Sequence, residues 1–396
     1  MSSPSSHALL RASAAQRGVG ALFVANALVF ATIVTRYPEL KDAFGLSDLA
    51  FGLMVACGPV GSILGSVLAG RLVARAGAVP VAVTSSVVLG ALLALAGFAG
   101  GPVLLGVILF AVGFADATGD VGNNAHGLEV QRRLDRSIIN GLHGAWSAGA
   151  IAGGLLGLLA LQSGLPIGLH FLILGVLIVA GTLVASRSLA LPGAAAAQPA
   201  AGGGAGRSIG AMLVASCGIA VIGAFLEDLG STWGGVYVTA EAGADLAASA
   251  APFVAMMAAL TLGRFASDRL VDRIGAVATV RVGSVVALAG MLLLVHAPAQ
   301  PAVILGFGLV GLGIAPMIPL AMDAADRVPG LGPGTGLAVA ATIMRIGFLA
   351  SPLLVGAVAE AGGLRLALLC CLAVPIVSLF LAGLLRPVRP RTADLA

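Results

Sequence analysis

A ten-residue segment in the first half of the chain returns in the second half. Residues 70–79 read GRLVARAGAV, and residues 268–277 read DRLVDRIGAV. Each copy is a short basic loop between two long apolar runs, so we predict two homologous halves, each with the same series of membrane-crossing helices. The residues that define the two copies are Gly70, Arg71, Arg75, Gly77, Asp268, Arg269, Asp272, Arg273 and Gly275.

The composition places the chain in lipid. Of its 396 residues, 59% are hydrophobic and 10% are charged, and the mean hydropathy is +1.07. One soluble core could not bury this much apolar surface. Since a membrane span and its connection use about 30 to 35 residues, we predict an all-α membrane protein of about twelve helices in two pseudo-symmetric six-helix halves. We expect these halves at residues 1–190 and 209–396, and a flexible cytoplasmic linker at 191–208.

The basic residues are distributed so that they orient the chain in the membrane. The formal net charge is +4 and the isoelectric point is about 9.2, but the arginines fall in alternate loops rather than in one nucleic-acid-binding patch. The positive-inside rule places these loops and both termini in the cytoplasm. The four cysteines lie in apolar runs without metal-ligand spacing, so we expect no metal, cofactor or nucleic-acid partner. The absence of a phosphate-cradling motif argues against an enzyme.

Polar residues interrupt the fourth predicted span. Asp116, Asp120, Asn123 and Asn124 follow one another at helical spacings that place two carboxylates and two amides on one stripe. Ionisable groups are costly in a bilayer, and they normally face a water-filled path. We interpret Asp116 and Asp120 as proton carriers and the asparagines as substrate contacts. The alternative is that the stripe only bonds neighbouring helices.

The seventh predicted span carries the adjacent acids Glu227 and Asp228, followed by Trp233 and Tyr237. If the helix continues to Tyr237, the acids lie near mid-depth and are further candidates for proton coupling. If it ends near Gly230, they lie at the outer interface and are only solvated. Trp233 is either a substrate contact or a residue of the interfacial aromatic belt.

Arg345 is the one arginine in the middle of a predicted span, the eleventh, and it needs an anion nearby. Its partner is either an acid within the membrane or a carboxylate or phosphate of the substrate, which a guanidinium binds with two hydrogen bonds. Trp146 occupies the corresponding position in the fifth span and is a second candidate substrate contact. Arg36, beside Pro38 at the outer end of the first span, either extends to the interface or gates a cavity.

The repeat, the loops and the polar stripe together resemble the major facilitator superfamily over nearly the whole chain. The loop motif of that family has a glycine, a basic residue, an aspartate, an arginine and a glycine. Residues 70–77 match it with Ala74 in place of the aspartate, and the second copy keeps Asp272, Arg273 and Gly275. In the family this loop is thought to latch the helices in one access state. The resemblance therefore implies a latch role for the repeated residues.

Three shorter stretches are similar to a bacterial branch related to fucose permeases. They are RYP at 36–38 with GLS at 45–47, DVGNNA at 120–125, and HGAWS at 143–147. This resemblance implies a bacterial cytoplasmic membrane and a small-molecule substrate. The first span lacks the acid that fucose-type permeases carry there, and the fifth span lacks the glycine-proline pair of drug antiporters.

These expectations converge on a secondary active transporter. We predict that it moves a small polar or amphipathic solute by alternating access, coupled to protons, and that it acts as a monomer in the lipid bilayer. The candidates for proton coupling are Asp116, Asp120, Glu227 and Asp228. The candidate substrate contacts are Arg36, Asn123, Asn124, Trp146, Trp233 and Arg345. The alternative is a proton-driven efflux pump for a drug or secondary metabolite.

Overall fold

The computed structural model describes residues 6–135, 138–189, 209–297, 299–328, 331 and 335–385. These residues are almost entirely helical, and twelve helical segments are long and apolar enough to cross a membrane. In chain order, spans 1 to 12 are Leu10–Thr35, Asp48–Ala76, Ala78–Ala96, Pro102–Leu134, Gly141–Gln162, Ile167–Ser186, Gly210–Ala240, Leu246–Ser267, Ala276–His296, Gln300–Asp326, Thr335–Gly362 and Leu364–Leu385. The predicted number of spans is confirmed, and the chain is a multi-pass membrane protein. The linker predicted at 191–208 lies outside the described residues, so the domain boundaries stay predictions.

The six spans of each half pack in the same order. Span 2 packs on span 4, span 3 on spans 4 and 6, and span 1 on span 5. The second half repeats these pairs: span 8 packs on span 10, span 9 on spans 10 and 12, and span 7 on span 11. The two six-helix halves are therefore pseudo-symmetric, as predicted. They meet where span 2 packs on span 11 and where span 5 packs on span 8, which are again equivalent pairs.

The repeated segment is helical, so the expectation of a short loop is wrong. Span 2 continues through the first copy to Ala76, and the helix of span 8 continues through the second copy to Ile274. One glycine then ends each helix: Gly77 has a φ of 89° and Gly275 a φ of 81°, which a residue without Cβ adopts readily. The helices extend beyond their apolar runs because the arginine side chains there can be solvated outside the hydrocarbon layer.

Glycine brings the backbones of spans 2 and 4 into contact. A Cβ at Gly61 would overlap the carbonyl oxygen of Phe110, and a Cβ at Gly113 would overlap that of Gly58. Helix association in lipid depends on such close van der Waals packing between small residues. The contact fixes the depth of span 4, which carries Asp116, relative to span 2.

The two halves are in close contact at one end of the bundle. Near the start of span 2, Gly52 packs against the carbonyl group of Pro352 on span 11, where a Cβ would overlap it. The amide of Leu49 donates a hydrogen bond to Oε2 of Glu360 at 3.1 Å. We call this contact between the start of span 2 and the end of span 11 the sealed end. The opposite end of the bundle, which carries the repeated segments, is the basic end.

Replacing Gly61 with alanine is expected to destabilise the protein, because the new Cβ would overlap the Phe110 carbonyl and overpacking costs about 1–3 kcal/mol. The thermal unfolding midpoint in detergent should fall by several degrees. Gly181 is exposed on span 6 and has no atom within 4 Å of its Cβ position, so Gly181→Ala is the matched control. Its midpoint should be unchanged or raised, since alanine is the better helix former. Equal midpoints for the two variants would contradict the close packing.

Candidate functional site

Asp116, in the middle of span 4, is held by a residue of span 1. Nδ2 of Asn26 donates a hydrogen bond to Oδ1 of Asp116 at 2.6 Å. Nε1 of Trp146, on span 5, donates to Oδ1 of Asn26 at 2.8 Å. All three side chains are half-buried. A predicted proton carrier and a predicted substrate contact therefore share one hydrogen-bond network in the first half.

Asp120 lies one helical turn nearer the basic end on the same face. Nδ2 of Asn124 donates to Oδ1 of Asp120 at 2.8 Å and to its backbone oxygen at 2.9 Å. Asp116, Asp120 and Asn124 thus form a half-buried stripe, as their spacing indicates. Asn123 does not share this exposure, because only 3% of its surface is accessible.

Arg345 brings a positive charge from the second half to the stripe. It begins the second helical stretch of span 11, directly after Met344. Its Nη1 donates a hydrogen bond to the hydroxyl of Ser62 on span 2, and its charge acts on both Asp116 and Asp120. In the part of the chain that the structure describes, it forms no ion pair within 4 Å with either acid. Arg345 therefore links the two halves at mid-span. It lies close to two carboxylates, and within the described part of the chain it is not ion-paired with either of them.

Aromatic rings lie beside these charged groups. The ring of Phe30 stacks on Trp146 with 6.2 Å between centroids and 29° between planes. The same ring meets Phe253 of the second half edge-on at 6.0 Å. The site therefore combines carboxylate, guanidinium, amide and aromatic groups from both halves, a mixture typical of small-molecule sites.

The helix of span 7 places the second acidic pair inside the bundle. It continues from Gly210 to Ala240 through a π-helical turn at Leu229–Trp233, so Glu227 and Asp228 lie within the span and not at its end. Oε2 of Glu227 is 3.5 Å from Nη2 of Arg264 on span 8. The two acids thus have different surroundings, since Glu227 has a cationic partner on the neighbouring span.

Trp233 is completely buried, and its ring meets Phe51 of the first half edge-on with 5.2 Å between centroids. This contact belongs to the sealed end, where spans 2 and 7 approach each other. In this conformation Trp233 offers no surface to a solute.

Arg36 uses its guanidinium for contacts within the first half. Only 2% of its surface is exposed. Nε donates to Nδ1 of His170 at 3.2 Å, Nη2 donates to the carbonyl oxygen of Leu165 at 2.8 Å, and Nη1 is 2.5 Å from Oε2 of Glu39. These bonds tie the end of span 1 to the start of span 6, and we interpret Arg36 as a structural residue on that basis.

The repeated segments lie at the basic end, accessible to solvent. Five of their charged residues are exposed: Arg71, Arg75, Arg269, Asp272 and Arg273. Gly70 is also exposed, and the side chain of Asp268 lies outside the described part. Among the described residues, none of the five forms an ion pair. In the described part of the chain, these residues show none of the charge pairs that the resemblance to the family leads one to expect of a latch.

Sequence reasoning does not single out Asn26 and Ser62, which bring spans 1 and 2 into the site. Asn26 does leave a signal, since it is the one amide in the apolar run 18–35. Ser62 leaves none, because small hydroxyl residues are common in apolar helices. Its position opposite Arg345 depends on how the two halves meet.

A family model described as the Major Facilitator Superfamily matches residues 19–333. The chain belongs to this superfamily. Among its relatives, the uncharacterized transporter y4wD of Sinorhizobium fredii is 29% identical over 358 residues, which cover 88% of this chain and 92% of that protein. An uncharacterized MFS-type transporter of Yersinia pestis is 28% identical over 359 residues, or 88% and 90% of the two chains. The membrane protein MosC of Rhizobium meliloti is 27% identical over 364 residues, or 90% and 86%.

Solved structures of other transporters share the fold of this superfamily member. A mutant of the nucleoside transporter NupG aligns with a TM-score of 0.75 at 12% identity, covering 94% of this chain and 100% of that one. A bacterial homolog of the human lysosomal transporter Spinster, in an inward-facing and occupied conformation, has a TM-score of 0.75 at 14% identity, covering 93% and 96%. At these identities the likeness shows the fold alone, and it confirms the predicted fold class. The family match and the names of the relatives support a role in membrane transport.

The two tryptophans of the chain are expected to differ in their access to a water-soluble quencher. Trp146 is half-buried in the site, whereas Trp233 is completely buried at the sealed end. Acrylamide should therefore quench the Trp233→Phe variant, which keeps only Trp146, several times more strongly than the Trp146→Phe variant. The measurement is the slope of a Stern-Volmer plot for each purified variant, and equal slopes in the folded proteins would contradict the placement. Unfolded samples of both variants serve as the reference for full access.

Proposed function

We propose that this superfamily member is a secondary active transporter that moves a small polar or amphipathic solute by alternating access, coupled to protons. The observation that carries the proposal is the meeting of Asp116 and Asp120 from one half with Arg345 from the other, between the sealed end and the basic end. Ionisable residues inside membrane bundles are rare, and they mark substrate and ion pathways. Sites at the interface of two structural repeats are typical of carriers.

The charge balance of this site indicates how a proton would act. Two ionised carboxylates and one guanidinium leave an excess negative charge, which is unfavourable away from bulk water. Protonation of Asp116 or Asp120 removes the excess and weakens the attraction on Arg345. The guanidinium is then available for a carboxylate, phosphate or hydroxyl group of the solute. Proton binding and solute binding would thus be coupled through Arg345.

Besides Arg345, two of the candidate contacts are accessible in this conformation. Trp146 and Asn124 are half-buried beside the acids, and Phe30 adds a second ring to the same wall. An amide and an aromatic wall suit a solute with a polar edge and an apolar face. Because Asn123 and Trp233 are buried here, we favour the accessible pair as substrate contacts.

We further propose an orientation for the transporter. The positive-inside rule places the basic end, with both termini, in the cytoplasm of a bacterial cell, and the protein in its cytoplasmic membrane. The sealed end then faces outwards, and we infer from this closed contact that a solute reaches the site from the cytoplasmic side. The exposed charges of the repeated segments would form their pairs in the opposite conformation, as the latch of the family does. We also propose that the protein acts as a monomer, since one chain carries both halves that alternating access requires.

Uptake and efflux are two alternatives for the direction of transport. The similarity to the fucose-permease-related branch favours uptake of a polar solute. The aromatic wall of Phe30 and Trp146 favours the second candidate, a proton-driven efflux pump for a drug or secondary metabolite. A thermal-shift screen against sugars, peptides and antibiotics identifies the class of solute, because a carrier is stabilised by the solute that it binds. Flux of that solute in proteoliposomes then gives the direction.

Changing both Asp116 and Asp120 to asparagine is expected to reduce pH-gradient-driven transport at least about tenfold, because the amide keeps the shape of the acid but cannot take up a proton. The measurement is flux in proteoliposomes of a solute identified by the thermal-shift screen. Glu129→Gln is the control, since Glu129 lies on the same span but pairs with Arg132 at 2.6 Å and Arg133 at 3.0 Å at the basic end. If the double variant transported as well as the control, the proton role of the stripe would be wrong.

Cross-linking the sealed end is expected to stop transport, because alternating access requires the halves to separate there. Leu49 and Glu360 are in contact across this end, so Leu49→Cys and Glu360→Cys are introduced together into a variant without the native cysteines. Oxidation should block flux and reduction should restore it, while each single variant should be insensitive to the oxidant. Full flux through the oxidised double variant would rule out this gate.

A further inference from the structure

A second buried acid lies inside the contact between the halves, on a different span from the stripe. Asp228 of span 7 has 8% of its surface exposed, and Thr232 donates a hydrogen bond to its Oδ1 at 3.2 Å. The hydroxyl of Ser351, a fully buried residue of span 11, lies beside the same carboxyl group. The other oxygen, Oδ2, is buried and has no hydrogen-bond partner among the described residues.

A buried residue of the first half lies near this carboxyl group. Tyr37 is buried and lies close enough to Asp228 to be affected by its charge. Burial, and secondarily the charge of Asp228, raises the pKa of the Tyr37 hydroxyl, so this group stays neutral. The ring of Tyr37 meets Phe51 edge-on at 5.5 Å, and Phe51 in turn meets Trp233 at 5.2 Å. These buried rings fill the contact between the halves at the sealed end.

Among the residues that the structure describes, no arginine or lysine pairs with Asp228. Arg264 pairs with the neighbouring Glu227, and no described cationic nitrogen lies within 4 Å of the Asp228 carboxyl group. The titratable groups that act on Asp228 or are acted on by it are Glu227, which has the same charge, and the neutral Tyr37. An ionised carboxylate in such a place is strongly unfavourable, and uptake of a proton is the normal relief.

A metal ion would neutralise the same carboxyl group less well than a proton. The side-chain oxygens around it come from Asp228, Thr232 and Ser351. They are fewer than the about six to eight oxygens that a hard cation such as Ca²⁺ takes. A proton needs only the unpartnered Oδ2.

The backbone beside Asp228 is also unusual. The π-helical turn at Leu229–Trp233 follows it directly, and such turns are rare and concentrate at functional sites. The indole N–H of Trp233, in the same turn, is buried without a partner among the described residues. Buried polar atoms normally have partners, so two unpartnered groups, one just before this turn and one within it, indicate a place where a partner is gained or lost during function.

We propose that Asp228 is a second proton-binding site, separate from Asp116 and Asp120, whose proton keeps the sealed end closed. The proposal rests on the alternating access proposed above. While the halves are in contact, the carboxyl group is covered and neutral. When they separate at the sealed end, Tyr37 and Phe51 withdraw, water reaches Asp228 and the proton can dissociate. A bound proton therefore favours the sealed conformation, and its loss favours the conformation that is open at this end.

The test measures the width of the sealed end as a function of pH. Asp42 and Asp245 are exposed on the connections that flank this end in the two halves, so spin labels are attached at Asp42→Cys and Asp245→Cys in a variant without the four native cysteines. Distances are recorded by pulsed electron resonance on the full chain in nanodiscs without added solute. We expect the short distance to dominate at about pH 5 and a longer one to gain population towards about pH 8.

Substitutions at Asp228 test whether this residue causes the change of the distance with pH. Asp228→Asn imitates the neutral acid and should keep the short distance at both pH values, whereas Asp228→Glu should retain the response. The combined Asp116→Asn and Asp120→Asn variant should also retain it. If the response survived in Asp228→Asn, or vanished in the combined variant, the proposal would be overturned. A wild-type distance that did not change with pH, or that changed with sodium at constant pH, would overturn it as well.

Infrared difference spectra give a second readout that needs no opening of the sealed end. The wild-type protein in acidic buffer should show a protonated-carboxyl C=O component that Asp228→Asn removes and Glu227→Gln leaves in place. If the Asp228→Asn variant kept every protonated-carboxyl C=O component of the wild-type spectrum, Asp228 would not carry a proton. The outcome is independent of the flux assay on Asp116 and Asp120, so failure of this site and failure of the proposed function are distinguishable.

Discussion

A charge inside an apolar bundle persists only where a counter-charge, water or a proton neutralises it, and this requirement orders the interior of the protein. Arg345 satisfies it by lying near Asp116 and Asp120, which belong to the other half. Glu227 satisfies it with Arg264 on the neighbouring span. Asp228 has no cation within reach among the described residues. The surroundings of Arg345 and Asp228 depend on how the halves are placed, whereas Glu227 and Arg264 pair within one half. A movement of the halves therefore changes the electrostatic energy of Arg345 and Asp228 in particular.

Much of the fold could be predicted from the sequence. The repeat at 70–79 and 268–277 and the apolar runs predict twelve spans in two similar halves, because span length is set by bilayer thickness and the repeat by duplication. The ends of the helices are less predictable. Hydropathy falls where arginine begins, but the helix continues through those arginines until Gly77 or Gly275 allows the backbone to turn.

For the candidate site too, one part could be predicted from the local sequence, whereas the other part depends on the tertiary structure. The spacing of Asp116, Asp120 and Asn124 on one helix face follows from helical periodicity alone. Their partners do not, since Asn26, Ser62 and Arg345 reach the stripe from spans 1, 2 and 11. Likewise, the sequence cannot distinguish the paired Glu227 from the unpaired Asp228. Only the position of span 8 against span 7 gives one of these adjacent acids an arginine.

The pseudo-symmetry of the packing contrasts with the asymmetry of the charges. Spans 5 and 11 are equivalent in the two halves, yet one carries Trp146 and the other Arg345 at the corresponding position. Trp146 is tied through Asn26 to the acid of its own half, whereas Arg345 is attracted to acids of the opposite half. The first half therefore holds a preformed network, and the second half supplies the one charge that can leave it. Because the packing is the same on both sides, the asymmetry between the halves lies in these charges, and the neutralisation of Asp116 or Asp120 sets how strongly Arg345 is attracted to the first half.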